Sequence, residues 1–185
     1  LIAQDALAGV AYLKSRPEII GDRIGLSGFS QAGWVIPLAA SQSRDVAYFI
    51  ILSGPVTSVG HENLYSSLTD NGNSATQMTQ EELMRRLSAA PHSGFDPVPL
   101  IADLEQPGLW LWGDQDKSIP VPESETNLKG LFDAGRSNLT YSILPNADHN
   151  LQQTTQGLFN EIPSSPGYHS DYYTTVAAWL EEHVK

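Results

Sequence analysis

Residues 46–53, Val-Ala-Tyr-Phe-Ile-Ile-Leu-Ser, are apolar at odd and even positions alike. A strand with one wet face alternates, whereas an unbroken apolar run of this length suits a strand covered on both faces. Strands of that kind lie in parallel sheets between layers of helix, so this segment restricts the chain to an α/β architecture. Residues 23–28 (Arg-Ile-Gly-Leu-Ser-Gly), 109–112 (Leu-Trp-Leu-Trp) and 139–144 (Leu-Thr-Tyr-Ser-Ile-Leu) read as companion strands.

Helical patterns lie between them. Residues 1–15 place Ile2, Ala6, Val10 and Leu13 on one face, and Arg16-Pro17 ends the run because a residue before proline avoids the helical region. Residues 30–41 read as a helix with a kink at Pro37. Residues 122–134 run to Gly135, which takes the left-handed stop position. In the last helix, residues 171–184, the pattern turns Val176, Ala177, Leu180 and Val184 inward. Residues 54–106 interrupt the alternation. They are polar at first, then Thr79 and Glu82 form a capping box before one short helix, and Asp96-Pro97 opens another. Residues 152–168 read as loop. The order strand, helix, strand, insertion, strand, helix, strand, helix predicts a mostly parallel sheet with helices on both faces. Its chemistry belongs at the C-terminal ends of the strands.

Composition narrows the partners. The formal net charge of −11 disfavours nucleic acid and anionic membrane surfaces, both of which call for Lys and Arg. No apolar run approaches the roughly 20 residues of a membrane span. The absence of cysteine removes disulfides, thiol catalysis and thiolate metal sites, and leaves the compartment open. At 185 residues the chain has one domain's length. Leu1 falls inside a helical pattern with no signal-peptide order around it, so the N-terminus reads as a cut.

Gly28-Phe29-Ser30-Gln31-Ala32-Gly33 follows a strand and opens a helix. A serine on such a turn is held in a strained conformation with its hydroxyl raised above the sheet. The helix N-terminus directs positive charge to the same place, where an oxyanion would form. Ala32 stands where the G-x-S-x-G pattern has its last glycine, and Gly33 follows it. Ser27 lies inside the strand and is the weaker hydroxyl. After the third strand, Asp114 and Asp116 are both placed to orient a base, and spacing leaves the choice open. After the fourth, His149 sits in a loop, where a near-neutral imidazole suits serine activation. His61, His92, His169 and His183 show no metal-ligand spacing and read as surface or substrate-proximal residues, with no metal. No glycine-rich phosphate cradle or nucleotide fingerprint is present, and no cofactor is expected.

These motifs resemble the bacterial α/β-hydrolases. The resemblance rests on the Gly28–Gly33 elbow with Trp34 and Ala39-Ala40 behind it. Leu52-Ser53-Gly54-Pro55, Phe95-Asp96-Pro97, Pro107 to Gly113 and His149-Asn150-Leu151 also carry it. It covers nearly the whole chain and points to the esterase, dienelactone-hydrolase-like and serine-peptidase-like branches together. The family's acid follows its strand as G-x-x-D, which selects Asp116 over Asp114. The resemblance therefore implies Ser30 as nucleophile, Asp116 as acid, His149 as base and the Gln31 amide as an oxyanion donor. It makes residues 56–106 a cap within a single catalytic domain, and Phe29, Trp34, Tyr65 and Leu68 substrate-binding positions. Leu64, Met78, Leu83, Met84 and Leu87 are further candidates for the pocket wall. The implied reaction is hydrolysis of a small-molecule carboxylic ester. An amide or thioester acyl hydrolase on the same triad, or a non-catalytic half-domain, are its rivals. The family's N-terminal strands and its second oxyanion loop normally precede residue 1. The strand at 23–28 is thus expected to offer a free edge to a missing half or a second copy.

Overall fold

The structure is a computed structural model and describes residues 1–184. Four strands form one parallel sheet in chain order: β1 (Gly25–Phe29), β2 (Tyr48–Leu52), β3 (Gly108–Gly113) and β4 (Leu139–Leu144). Helices α1 (Ile2–Lys14) and α2 (Ala32–Gln42) flank β1. The β2–β3 connection carries α3 (Val59–Leu68), α4 (Gln80–Ser88) and α5 (Val98–Asp103). Helix α6 (Val121–Asp133) links β3 to β4, and α7 (Asp171–His183) closes the chain.

Alternate residues of the sheet feed two cores. Phe49, Ile51, Trp110 and Trp112 pack with Val10 of α1, Ile36 and Ala40 of α2, Ile101 of α5 and Leu128 of α6. On the opposite face Ile50 and Leu109 lie against Trp179 of α7. Strand β3 is buried at every position, which its unbroken apolar sequence requires. Burying each large apolar side chain of these layers contributes about 1.5–3 kcal/mol. The arrangement is the α/β sheet with helices on both faces that the strand patterns predict.

Two helices sit rotated from their expected faces. In α1 the buried residues are Ala3 and Val10, while Ile2 and Leu13 are exposed. In α7 the anchor is Trp179, with Val176 and Leu180 partly buried beside it and Ala177 exposed. The large indole fills the groove over Ile50 and Leu109 that a smaller residue would leave open. Strand β1 is the other departure. Its residues Ser27 and Phe29, in register with Ile50 and Leu52, remain exposed.

Helix α3 has no counterpart in the sequence reading. Its residues are largely polar, and it starts where Ser58 Oγ accepts the His61 N–H at 3.4 Å. The capping box at α4 is half-formed. Thr79 Oγ1 accepts the Glu82 N–H at 3.2 Å, but the Glu82 carboxylate turns to Arg85 and Arg86 instead of back to the cap. At α5 the N-cap is Pro97, not the expected Asp96, which stands one residue earlier with its Oδ1 accepting the Val98 N–H at 3.0 Å. Tyr65, Leu83 and Leu87 form a buried cluster, with Leu64, Leu68, Met78 and Met84 packed around it. Among the described residues, no helix is long and apolar enough to cross a membrane.

Candidate active site

Strand β1 delivers Ser30 to a turn with φ of +54°, a left-handed conformation that costs a non-glycine residue on the order of 1–3 kcal/mol. Tight packing holds it there. The Ser30 N–H donates to Leu52 O at 2.8 Å, tying the turn to the end of β2. A Cβ on Gly28 would lie 2.6 Å from the Ala32 methyl, and one on Gly33 would lie 2.5 Å from Pro55 O. The small residues are thus fixed by contact on both sides of the serine. Ala32 fits because the demand for a bare backbone falls on Gly33, one residue later.

The loops after β3 and β4 bring the other two groups to this serine. His149 Nε2 lies 3.1 Å from Ser30 Oγ, and His149 Nδ1 lies 2.8 Å from Asp116 Oδ2. Asp116 Oδ1 accepts the N–H groups of Ser118 at 2.7 Å and Ile119 at 2.8 Å. Both carboxylate oxygens are therefore satisfied, and the side chain is fully buried. A carboxylate facing Nδ1 places the ring hydrogen there and leaves Nε2 as the acceptor facing the hydroxyl. Burial works against charging the His149 ring. The Asp116 charge and hydrogen bond, with Asp148 and Glu62 behind them, outweigh it and hold the imidazole above its usual range.

Asp114, the other aspartate of the pair, serves the frame. Its Oδ1 accepts the Asn146 N–H at 2.7 Å and fastens the loop after β4 to the loop after β3. The Gln31 N–H makes no backbone hydrogen bond among the described residues and stands at the start of α2, beside Ser30. That is where a donor to a developing oxyanion is needed.

The four residues expected to bind substrate divide. Phe29 is 43% exposed, and its ring centroid lies 4.8 Å from that of His149. It borders a cavity of about 280 Å³ with Leu52, Leu151, Tyr168 and Tyr172. Trp34 is partly buried and donates its indole N–H to Thr57 O at 2.9 Å, bracing α2 against the β2–β3 connection. Tyr65 is 2% exposed and donates its hydroxyl to the backbone oxygen of Asp116 at 3.0 Å. It supports the acid from behind and cannot line an open pocket. Leu68 is half-buried and packs against the cluster of Tyr65, Leu83 and Leu87.

Two acidic residues near the triad escaped the sequence reading. Glu62, in the first turn of α3, is partly buried, and burial raises its pKa, with the His149 and Asp116 charges acting in opposite directions upon it. Its unmarked helix gave no signal. Asp148 is 4% exposed, and its Oδ1 accepts the N–H groups of Asn150 and Gln152, each at 2.8 Å. It shapes the loop that presents His149. An aspartate one residue before the base, able to bond the backbone two residues on, was the available clue.

Comparison with known proteins places the fold and the family. Acylaminoacyl peptidase of Pyrococcus horikoshii superposes with a TM-score of 0.65 at 21% identity, over 99% of this chain and 28% of its own. An esterase of Pyrococcus furiosus gives 0.65 at 16% identity, over 99% of this chain and 62% of its own. Dipeptidyl peptidase 4 of Porphyromonas gingivalis gives 0.63 at 14% identity, over 98% of this chain and 22% of its own. These likenesses establish the shared fold, and the chain spans only part of each neighbour's length. Among curated proteins, none matches significantly. The sequence profile of the prolyl oligopeptidase family, Peptidase_S9, matches residues 2–185. The chain accordingly belongs to the prolyl oligopeptidase family of serine hydrolases, on the α/β-hydrolase fold.

Proposed function

We propose that this chain cleaves carboxylic esters through an acyl-serine intermediate. The observation that carries the reading is the unbroken line Asp116–His149–Ser30, at 2.8 and 3.1 Å. In the first step the Ser30 proton passes to His149 Nε2 as Oγ attacks the carbonyl carbon. The imidazolium so formed is stabilised by Asp116, which keeps its charge. The carbonyl oxygen becomes an oxyanion facing the Gln31 N–H. His149 then returns the proton to the departing alcohol, leaving the acyl-serine. Water repeats the sequence, with His149 as base, and releases the acid.

The esterase neighbour, whose length this chain covers to 62%, favours an ester substrate. The family description and the acylaminoacyl peptidase neighbour favour an amide on the same triad. A third reading, a non-catalytic portion, draws on the oxyanion hole. One donor is identified here, and loss of one such donor typically costs on the order of 10²–10³ in rate. Hydrolysis of a short p-nitrophenyl ester and of the matching anilide, by wild type and Ser30→Ala, separates the three. The proposal expects ester turnover with no Ser30-dependent anilide turnover, and the Ser30→Ala ester rate reduced to background. Anilide turnover that Ser30→Ala abolishes would move the assignment to the peptidase reading. Equal rates for wild type and Ser30→Ala would leave the non-catalytic one.

A further inference from the structure

A second group of polar side chains lies where α3 and the turn after α4 meet α6. A cavity of about 430 Å³ there is lined by His61, Met84, Leu87, His92, Pro122 and Glu123. His61 is 2% exposed, contrary to the surface placement its sequence context suggests. Its Nε2 lies 3.1 Å from Ala90 O, and only an N–H can bond a carbonyl, so Nε2 carries a hydrogen. Its Nδ1 lies 2.8 Å from Glu123 Oε1, which also accepts the Thr57 hydroxyl at 2.7 Å. A neutral His61 would therefore aim a bare lone pair at a carboxylate oxygen. The arrangement calls for either a proton shared between the two groups or a metal ion.

The remaining atoms distinguish the two. Glu123 Oε2 is buried and has no hydrogen-bond partner among the described residues. The His92 ring stacks on His61 with centroids 3.8 Å apart, and its Nδ1 meets Ser58 Oγ at 3.2 Å, which leaves Nε2 open. A proton between Nδ1 and Oε1 satisfies neither open atom. A metal ion can use all three residues, whose donor atoms lie within 4.8 Å of one another. We propose that His61, His92 and Glu123 bind one divalent transition-metal ion of the zinc class, joining α3 and the turn after α4 to α6.

Two imidazoles and a carboxylate suit zinc and its neighbours better than calcium or magnesium, which prefer all-oxygen shells. Zinc–nitrogen and zinc–oxygen bonds near 2.0–2.2 Å set tetrahedral donors roughly 3.4 Å apart, so the group must contract. The stacked rings hold their lone pairs side by side, so the His92 ring must also turn. It is exposed and held on this side by a single hydrogen bond, and both changes are open to it. The Ala90 carbonyl already fixes His61 as the tautomer that binds through Nδ1, the usual role of an outer partner to a metal-bound histidine.

The test is competition between the metal-stripped full chain and a chromophoric chelator for zinc chloride alone. One equivalent is expected to bind with micromolar or tighter affinity. His92→Ala and Glu123→Gln should each weaken it by about tenfold or more, and His149→Ala should leave it unchanged. The thermal midpoint should rise with zinc in wild type and not in His92→Ala. His92 is exposed, so its variant keeps the fold and decides the matter should Glu123→Gln fail to fold. Absence of stoichiometric binding would overturn the assignment. So would binding that survives His92→Ala, or binding that disappears in His149→Ala and so belongs to the triad.

Discussion

Glu62 shows how a residue outside the triad bears on it. Its charge, with those of Asp116 and Asp148, favours the imidazolium form of His149. A serine hydrolase needs His149 neutral before attack, so a raised pKa moves the acid limb of activity upward in pH. Glu62→Gln removes one stabilising charge, lowers the His149 pKa, and should shift that limb of the kcat/KM profile to lower pH. A pH–rate profile of the variant with an unmoved limb would dissociate Glu62 from the triad. Ser30, Asp116 and His149 were legible in the sequence because each follows its own strand in the chain order of the fold. The choice between Asp114 and Asp116 came from the family pattern, and the hydrogen bonds assign the two aspartates different work. Glu62 was not legible, because the helix that carries it has no marked pattern, and Asp148 offered only its place one residue before the base.

Among the elements, α3 matters most and was the least readable. Its hydrophobic residues are few, and what gives it a place is contact with the loop carrying Asp116 and with α6. Tyr65 makes the first of these contacts. Burial, with the nearby Asp116 charge, pushes the phenol pKa up, so the hydroxyl stays a donor to the Asp116 carbonyl. Tyr65→Phe keeps the ring and deletes that bond. Unfolding in urea should show a loss of about 1–2 kcal/mol, the cost of a buried acceptor left without its partner. kcat should fall more than KM changes, since the acid and not the substrate loses its support. A variant of unchanged stability and kcat would mean that α3 does not position Asp116. The strands and the helices α1, α2, α6 and α7 were found within a residue or two, because period and stop signals are local. Which face each helix buries was read less well. Ile2 and Leu13 look like core by spacing, yet Ala3 and Val10 lie against the neighbouring layer.

At the scale of the whole molecule, β1 stands at an open edge of the sheet. The Ser30 N–H points to β2, so by the alternation of a parallel strand the N–H groups of Ser27 and Phe29 point away from it. Leu1, Ile2, Tyr12, Ile20 and Phe29 are exposed on the same N-terminal portion of the chain. A bare edge of this kind is open to pairing with a further strand. Hydrogen exchange should find the Ser27 and Phe29 amides fast in the dilute chain and slowed in an assembled form. A monodisperse monomer with both amides fully protected would contradict this. The fold class was readable at this scale, since an apolar run such as residues 46–53 implies a sandwiched parallel sheet. The partial covering of β1 was visible only as an inference from resemblance. If His149 and Asp116 activate Ser30, a fluorophosphonate probe should react there, and mass spectrometry locates the adduct. A single adduct on Ser30, lost in His149→Ala, is the expected result. A well-folded chain that takes no label, or takes it equally in His149→Ala, would contradict it.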